Sequence, residues 1–365
     1  RSISRDGFLW DYAGHFFHFR DEGMKRLFLS LFEPDELLLI PKRCGILYSG
    51  ALIDYPFQHN LRQLEKEELI DCIASLAEPP EKPRYDSFLD YLYGAFGTGI
   101  TDRFLKPYNE KLYACDLCAL DPGAMGRFFP AEGKTALLAA LRGGHNKSYN
   151  DAFYYPKAGA RALIEKLCGK LLPGTLRTGR ALAGIDGKAH LARDETGCEY
   201  HYDTLISTVP LPKLLSLLGM DAEPSLSANR VLVFNLGFER KGSVRDRHWL
   251  YVPGREAPFY RVGFYDNLYE GTRASLYAEI ALGPGKSVNA DELMEKTLAA
   301  LRALGLIQGD NRLLSRCPLL LDPAYVHIRP GTETRVRELL AALSGMDIYS
   351  CGRYGAWQYS SENHC

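Results

Sequence analysis

Between residues 229 and 282 the chain reads "NRVLVFNLGFE", "HWLYVP", "FYRVGFYD" and "ASLYAEIAL". β-Branched and aromatic residues recur there with a period of two, the signature of an antiparallel sheet. Upstream the period is different. "NLRQLEKEELIDCIASLAE" spaces Leu61, Leu64, Leu69 and Ile70 along one helical face and stops at "PPEKP". "DSFLDYLYGAFGTGITDRFLKPYNEKLYA" predicts one or two more helices, opening on an Asp-Ser cap and closing near Pro107. A helical region therefore interrupts strand-forming sequence, and a string of separate domains does not fit such switching.

The flanking stretches repeat this alternation. "DELLLI" and "CGILYSGALIDY" read as strands with a turn between them. "FYYPKAGARALIEKLCGKL" is a strand end, a turn and a helix, and "TLISTVP" is an apolar strand. "NADELMEKTLAALRALGL" predicts a helix capped by Asn289 with Glu292 three residues on. "GTETRVRELLAALSG" predicts another, and "MDIYSCGRYGAWQYSSENHC" a strand running into a glycine turn. The fold class is mixed α/β, and at about 150 residues per domain the 365 residues suggest two or three interleaved domains.

Composition narrows the partners. With 44 basic and 45 acidic residues the net charge is −1, so no overall field favours nucleic acid or an anionic membrane. No run reaches the ~18 apolar residues of a membrane span, and no signal peptide is evident. Nine scattered cysteines, an odd number, fit free thiols in a cytoplasmic protein better than a disulfide framework. Cys115 and Cys118 have C-x-x-C spacing but no second pair to complete a zinc site.

No Ser-His-Asp order, P-loop or H-E-x-x-H motif is present. His15 and His18 in "DYAGHFFHF" could share a helix face, yet their neighbours supply only aromatics and one Asp, so no metal is expected. The richer pattern is Tyr, Arg, Asn and Gln in segments flanked by Gly or Pro. It comprises Tyr55, Phe57, Gln58 and Asn60 in "YPFQHN", Tyr108, Asn109 and Tyr113 in "KPYNEKLYA", and Asn146 and Asn150 in "HNKSYNDAFYYP". Tyr251 and Arg261, Tyr325, and Arg353 and Tyr359 continue it. With 22 tyrosines in the chain, packing is the simpler reading for any one of them. As a set they suit a nucleotide diphosphate: aromatics stack a base, amides read its edge, and Arg and Tyr hold phosphate oxygens.

The order "GH-F", "YPFQHN", "FGTGITDRFLKPYNEKLY", "YYPKAGA", "LISTVP", "WLYVP…APFYR", "CGRYGAWQY" resembles the UDP-galactopyranose mutases, in particular their eukaryotic-type branch. These lie within the flavin amine-oxidase and protoporphyrinogen-oxidase-like group. The resemblance implies a Rossmann-like FAD-binding domain at 1–20, 155–215 and 346–365. It implies a helical domain at 60–145 and an antiparallel-sheet substrate domain at 21–59 and 216–345. The implied cofactor is FAD, reduced for activity, and the implied substrate a UDP-hexose. The product would feed cell-surface polysaccharide synthesis, and homo-oligomerisation is left open.

Position by position, the resemblance implies that Tyr55, Phe57 and Gln58 hold the uracil, with Asn109 and Tyr113 along the ribose. Tyr113 stands where the eukaryotic-type enzymes carry Trp. Asn146 would meet the diphosphate and Asn150 the sugar; Tyr251, Arg261, Tyr325 and Tyr359 would hold the diphosphate. Arg1, Ser2, Gly14, His15, Gly352 and Arg353 would contact the flavin, with His15, Arg127 and Arg261 as the catalytic set. The implied reaction displaces UDP with the reduced flavin as nucleophile and recloses the sugar as furanose through a covalent flavin-sugar adduct. Three departures stand out. The glycine-rich dinucleotide turn expected before Arg1 is absent, and the chain ends at "SSENHC" where the family continues; both imply truncation. In "GAMGRFFP" Arg127 directly follows the glycine, and Phe128 occupies the expected arginine position. The alternatives are a flavin oxidoreductase of the same fold, marked by an apolar tunnel, and a non-catalytic nucleotide-sugar binder.

Overall fold

The computed structural model describes residues 1–77, 84–126, 137–139 and 151–360. Its largest element is a sheet of seven strands. From one edge to the other these are Leu313–Leu321, Arg230–Phe238, Ala274–Leu282, Arg261–Phe264, Trp249–Tyr251, Cys44–Tyr48 and Ala51–Asp54. Neighbours are antiparallel except Trp249–Tyr251 against Cys44–Tyr48. The long Arg230–Phe238 strand is buried on both faces beyond its first residue. Leu232, Phe234, Leu236 and Phe238 pack with Met294, Ala300 and Leu301 of the helix Ala290–Ala303. Val231 and Val233 point the other way, into the larger core. Period two thus separates two apolar layers, as a sheet covered on both sides requires.

Local chemistry sets the helix ends. Asn289 Oδ1 accepts from the backbone N–H groups of Asp291 and Glu292. Ser87 Oγ accepts from Asp90 N and opens the helix Phe88–Ile100. Pro107 starts a helix, Lys106–Tyr113, instead of closing one. Its missing N–H is no loss in a first turn, and its fixed φ suits one. A π-type turn at Thr101–Leu105 joins the two helices.

Three smaller strand pairs flank the large sheet's region of the fold. The hairpin Ser2–Arg5 and Phe8–Asp11 delivers the Asp11–His15 turn. Leu37–Pro41 pairs with Ala152–Pro156, and Gly159 then turns the chain into the helix Arg161–Cys168. Leu205–Ser207 and Ile348–Ser350 pair in parallel, bringing "LIS" beside the strand that runs into Gly352. Among the described residues, no helix is long and apolar enough to cross a membrane.

Candidate functional site

The first part of the site is the Asp11–His15 turn. The buried Asp11 carboxylate accepts from Ser2 Oγ at 2.5 Å, Tyr155 Oη at 2.9 Å and Ala160 N at 3.2 Å. Burial pushes its pKa up, while the hydrogen bonds from Ser2 and Tyr155 pull it down. Tyr265 Oη accepts from Asp11 N and donates to Ala13 O at 3.0 Å. Asn235 Nδ2 donates to Asp11 O at 3.2 Å. Ala13 has φ 147°, a conformation that favours glycine. A Cβ on Gly14 would lie 2.1 Å from Tyr277 Oη. The turn therefore lies bare against that ring, and Tyr277 has room because its strand neighbour is Gly263. His15 Nδ1 lies 2.9 Å from Ala13 O, which can only accept, so the neutral ring carries its proton on Nδ1.

Sheet register supplies the second part. Tyr251, Arg261 and Glu279 are direct partners on three adjacent strands. Arg261 donates from Nε to Glu279 Oε2 at 2.9 Å and from Nη2 to Oε1 at 2.6 Å, a bidentate pair. Glu279 is only 1% exposed. Burial opposes the Arg261 charge, but Glu279 together with the surrounding Tyr277, Tyr325 and Tyr260 outweighs it and holds the guanidinium charged. Nη1 lies outside the pair.

The third part is an aromatic wall. Tyr325 stacks on Tyr359 with centroids 5.8 Å apart and meets Tyr260 and Tyr113 edge-on. Tyr108 meets Tyr251 and Tyr260 edge-on, and Tyr55 packs on Tyr251 at 4.9 Å. The Arg353 guanidinium lies over Tyr325 at 5.4 Å and Tyr359 at 5.3 Å. It donates to Ser360 O and Ala324 O. Burial pushes the Tyr108, Tyr251, Tyr260 and Tyr359 phenols up. At neutral pH they are hydrogen-bond donors, not anions.

A cavity of about 760 Å³ joins these parts. On its wall stand Arg1, Gly14, His15, Arg261, Tyr325, Arg353 and Tyr359 of the sequence-based set. Met24, Leu27, Leu163 and Ile164 give it an apolar flank. Tyr251 joins through Arg261 and Tyr108. Other expected residues sit elsewhere. Phe57 is fully buried, stacked on Phe104 and edge-on to Tyr48, so it packs the core and offers no open face to a base. Gln58 is buried beside it, and Tyr55 is partly exposed. Ser2 Oγ is held by Asp11 and by Arg161 N. Gly352, at φ 78°, begins the short turn that carries Arg353. Asn109 Oδ1 and Tyr113 Oη are buried without hydrogen-bond partners among the described residues. Arg127, Asn146 and Asn150 lie outside the described residues.

Sequence reading missed Glu279, Tyr260 and Tyr277. One signal for Glu279 was visible, a lone carboxylate inside the apolar run "ASLYAEIAL". No cluster of three metal-ligating His, Cys, Asp or Glu residues forms among the described residues, and the described cysteines are free.

A family model described as flavin containing amine oxidoreductase matches residues 1–316. The chain belongs to this family. Its cofactor is FAD. The cavity residues fit such a group: Gly14 presents bare backbone, and Arg1 and Arg353 provide cations for an anionic dinucleotide. The fold is also shared with solved structures. A crystal structure of reduced UDP-galactopyranose mutase matches with TM-score 0.90 and 23% identity, over 100% of this chain and 82% of that one. A putative protoporphyrinogen oxidase from Exiguobacterium matches with TM-score 0.75 and 18% identity, over 98% and 88%. A fatty acid isomerase from P. acnes matches with TM-score 0.59 and 11% identity, over 96% and 84%.

Proposed function

We propose that this flavoprotein is a nucleotide-sugar mutase that interconverts UDP-galactopyranose and UDP-galactofuranose in the cytoplasm. The observation that carries the reading is the meeting of Arg261, Tyr325, Tyr359 and Arg353 on the cavity that Gly14 and His15 also line. Bound reduced FAD would supply the nucleophile for the sugar carbon. The chain's own residues hold the departing diphosphate. Neutral phenols of the tyrosine wall donate to its oxygens, and Arg261 faces it with Nη1 while Glu279 fixes the other edge. Because Arg261 and Glu279 cancel in charge, Arg353 and the phenol donors carry most of the compensation for phosphate charge. Retaining UDP in this clamp keeps it at hand for recapture when the ring recloses.

A second reading, a flavin oxidoreductase acting on an apolar substrate, is favoured by the flank of Met24, Leu27, Leu163 and Ile164. One experiment separates them. The flavin-loaded protein is reduced with dithionite and mixed with UDP-galactopyranose, and the products are separated by chromatography. Formation of the furanose is expected. Bound flavin with no conversion and no UDP-dependent spectral change overturns the mutase reading.

A further inference from the structure

Lys111 lies on the helix Lys106–Tyr113, which also carries Tyr108, Asn109 and Tyr113. Its Nζ donates to three backbone carbonyls, Val252 O at 2.7 Å, Gly254 O at 2.8 Å and Ala257 O at 3.1 Å. An ammonium has three N–H donors and no acceptor, so all three donors are matched. The carbonyls belong to the loop between the strands Trp249–Tyr251 and Arg261–Phe264. Val252 N donates to Tyr260 O at the base of this loop. Among the described residues, residues 253–259 make no backbone-to-backbone hydrogen bond beyond it. The strands that flank the loop are only three and four residues long. The ammonium is therefore the loop's main polar anchor, beside the core packing of Val252, Ala257 and Phe259.

We propose that Lys111 is a positioning residue for the diphosphate clamp, tying the helix to the hairpin loop and so fixing where Tyr251, Tyr260 and Arg261 stand. Its effect on UDP rests on the mutase reading; its effect on the loop does not. The helix touches the hairpin twice. Tyr108 packs its ring 5.2 Å from that of Tyr251 and 6.3 Å from that of Tyr260, and Lys111 reaches the loop that joins those two residues. Lysine suits this task better than arginine, because a compact ammonium can aim at three converging carbonyls and a planar fork cannot. Burial lowers the Lys111 pKa to about 8, with Glu256 pulling the other way, so the side chain is charged at neutral pH. Without the ammonium the three carbonyls lose their donor, and the loop reorganises to find water.

The test compares Lys111→Met with the wild type, both loaded with flavin. Amide exchange at residues 252–260 reads the loop without any ligand. UDP titration and steady-state kinetics read the clamp. The variant should keep its flavin, exchange faster in that loop, and bind UDP about tenfold more weakly. KM should rise in step with kcat nearly unchanged. Unchanged exchange overturns the cradle. Faster exchange with unchanged UDP affinity, measured on folded protein, leaves Lys111 as a stabilising residue only and overturns the positioning role. Failure of the wild type to bind UDP overturns the mutase reading and the affinity claim together, and the exchange measurement still judges the cradle.

Discussion

The Asp11–His15 turn and the tyrosine wall face one cavity but are built by different means. The turn is a backbone device. Asp11 N, Asp11 O, the Asp11 carboxylate and Ala13 O all have partners inside the protein. The wall is a side-chain device, held mainly by ring contacts and by Arg353 above them. A buried hydrogen-bonded network tolerates little change, because each lost partner leaves another polar group unpaired. Stacked rings tolerate the loss of a hydroxyl, since most of their packing comes from area. Changes at the turn should therefore reach stability and flavin, and changes at the wall mainly ligand affinity.

The largest effect is expected where the comparison breaks, at Arg261, which stands beside the wall and depends on a buried carboxylate. Arg261→Ala leaves Glu279 buried without its cation, at a cost of about 3 kcal/mol. That is the low end of the range for a broken buried pair, chosen because the Arg261 side chain is 21% exposed and water can reach the gap. UDP binding should be lost as well. Replacing both residues by Met should restore most of the stability and none of the UDP binding. Urea unfolding of the single and double variants checks this. Equal stability in the two would show that Glu279 is not the source of the loss.

Gly14→Ala comes next. The new Cβ meets Tyr277 Oη at 2.1 Å and its ring carbon Cζ at 2.8 Å. Overpacking of this kind costs about 1–3 kcal/mol. Flavin content after purification should fall with it. Adding Tyr277→Phe removes the nearer contact and should recover part of both. No recovery would mean that the backbone at Gly14, and not the space beside it, is what alanine disturbs.

A pH titration sharpens the other side of the comparison. Burial raises the Asp11 pKa above its ordinary value of 3.8. Between that value and the raised one, the folded protein holds a proton that the unfolded chain has released. Stability from this group is therefore present at low pH and falls as pH climbs through the window. Asp194 has the opposite sign: the hydrogen bond from Thr196 leads in holding its pKa low, so its contribution falls as pH drops. The difference between the stability curves of wild type and Asp11→Asn isolates Asp11. It should slope downward with rising pH in that window, and a flat difference would remove Asp11 as a source of strain in the turn.

What could be read in the sequence follows the same division. Most strands of the large sheet and the Asn289 cap were legible, because alternation and capping act over a few residues, whereas the edge strand Leu313–Leu321 was not read. The Tyr251–Arg261–Glu279 row was not, because register depends on which residue each strand meets. Pro107 is ambiguous in a sequence: it ends one helix or starts another, and the chain chose the start. Phe57 carried an aromatic signal that fits base stacking and core packing equally, and only the rings of Phe104 and Tyr48 around it decide. Lys111 gave no signal, since its three partners are backbone carbonyls more than 140 residues away.

The smallest effect is expected at Tyr325, where the wall is most fully a packing device. Tyr325→Phe keeps the stack on Tyr359 and the face under Arg353. Tyr325 N donates to Asn229 Oδ1, a bond that the loss of Oη leaves intact. Stability should stay within about 0.5 kcal/mol of wild type. UDP affinity should fall about three- to tenfold, the worth of one hydrogen bond from a neutral phenol to a charged phosphate oxygen. Calorimetric titration with UDP, beside a melting curve, reads both numbers. A large drop in Tm would place Tyr325 with the turn, as part of a network, and would erase the division between the two halves of the cavity.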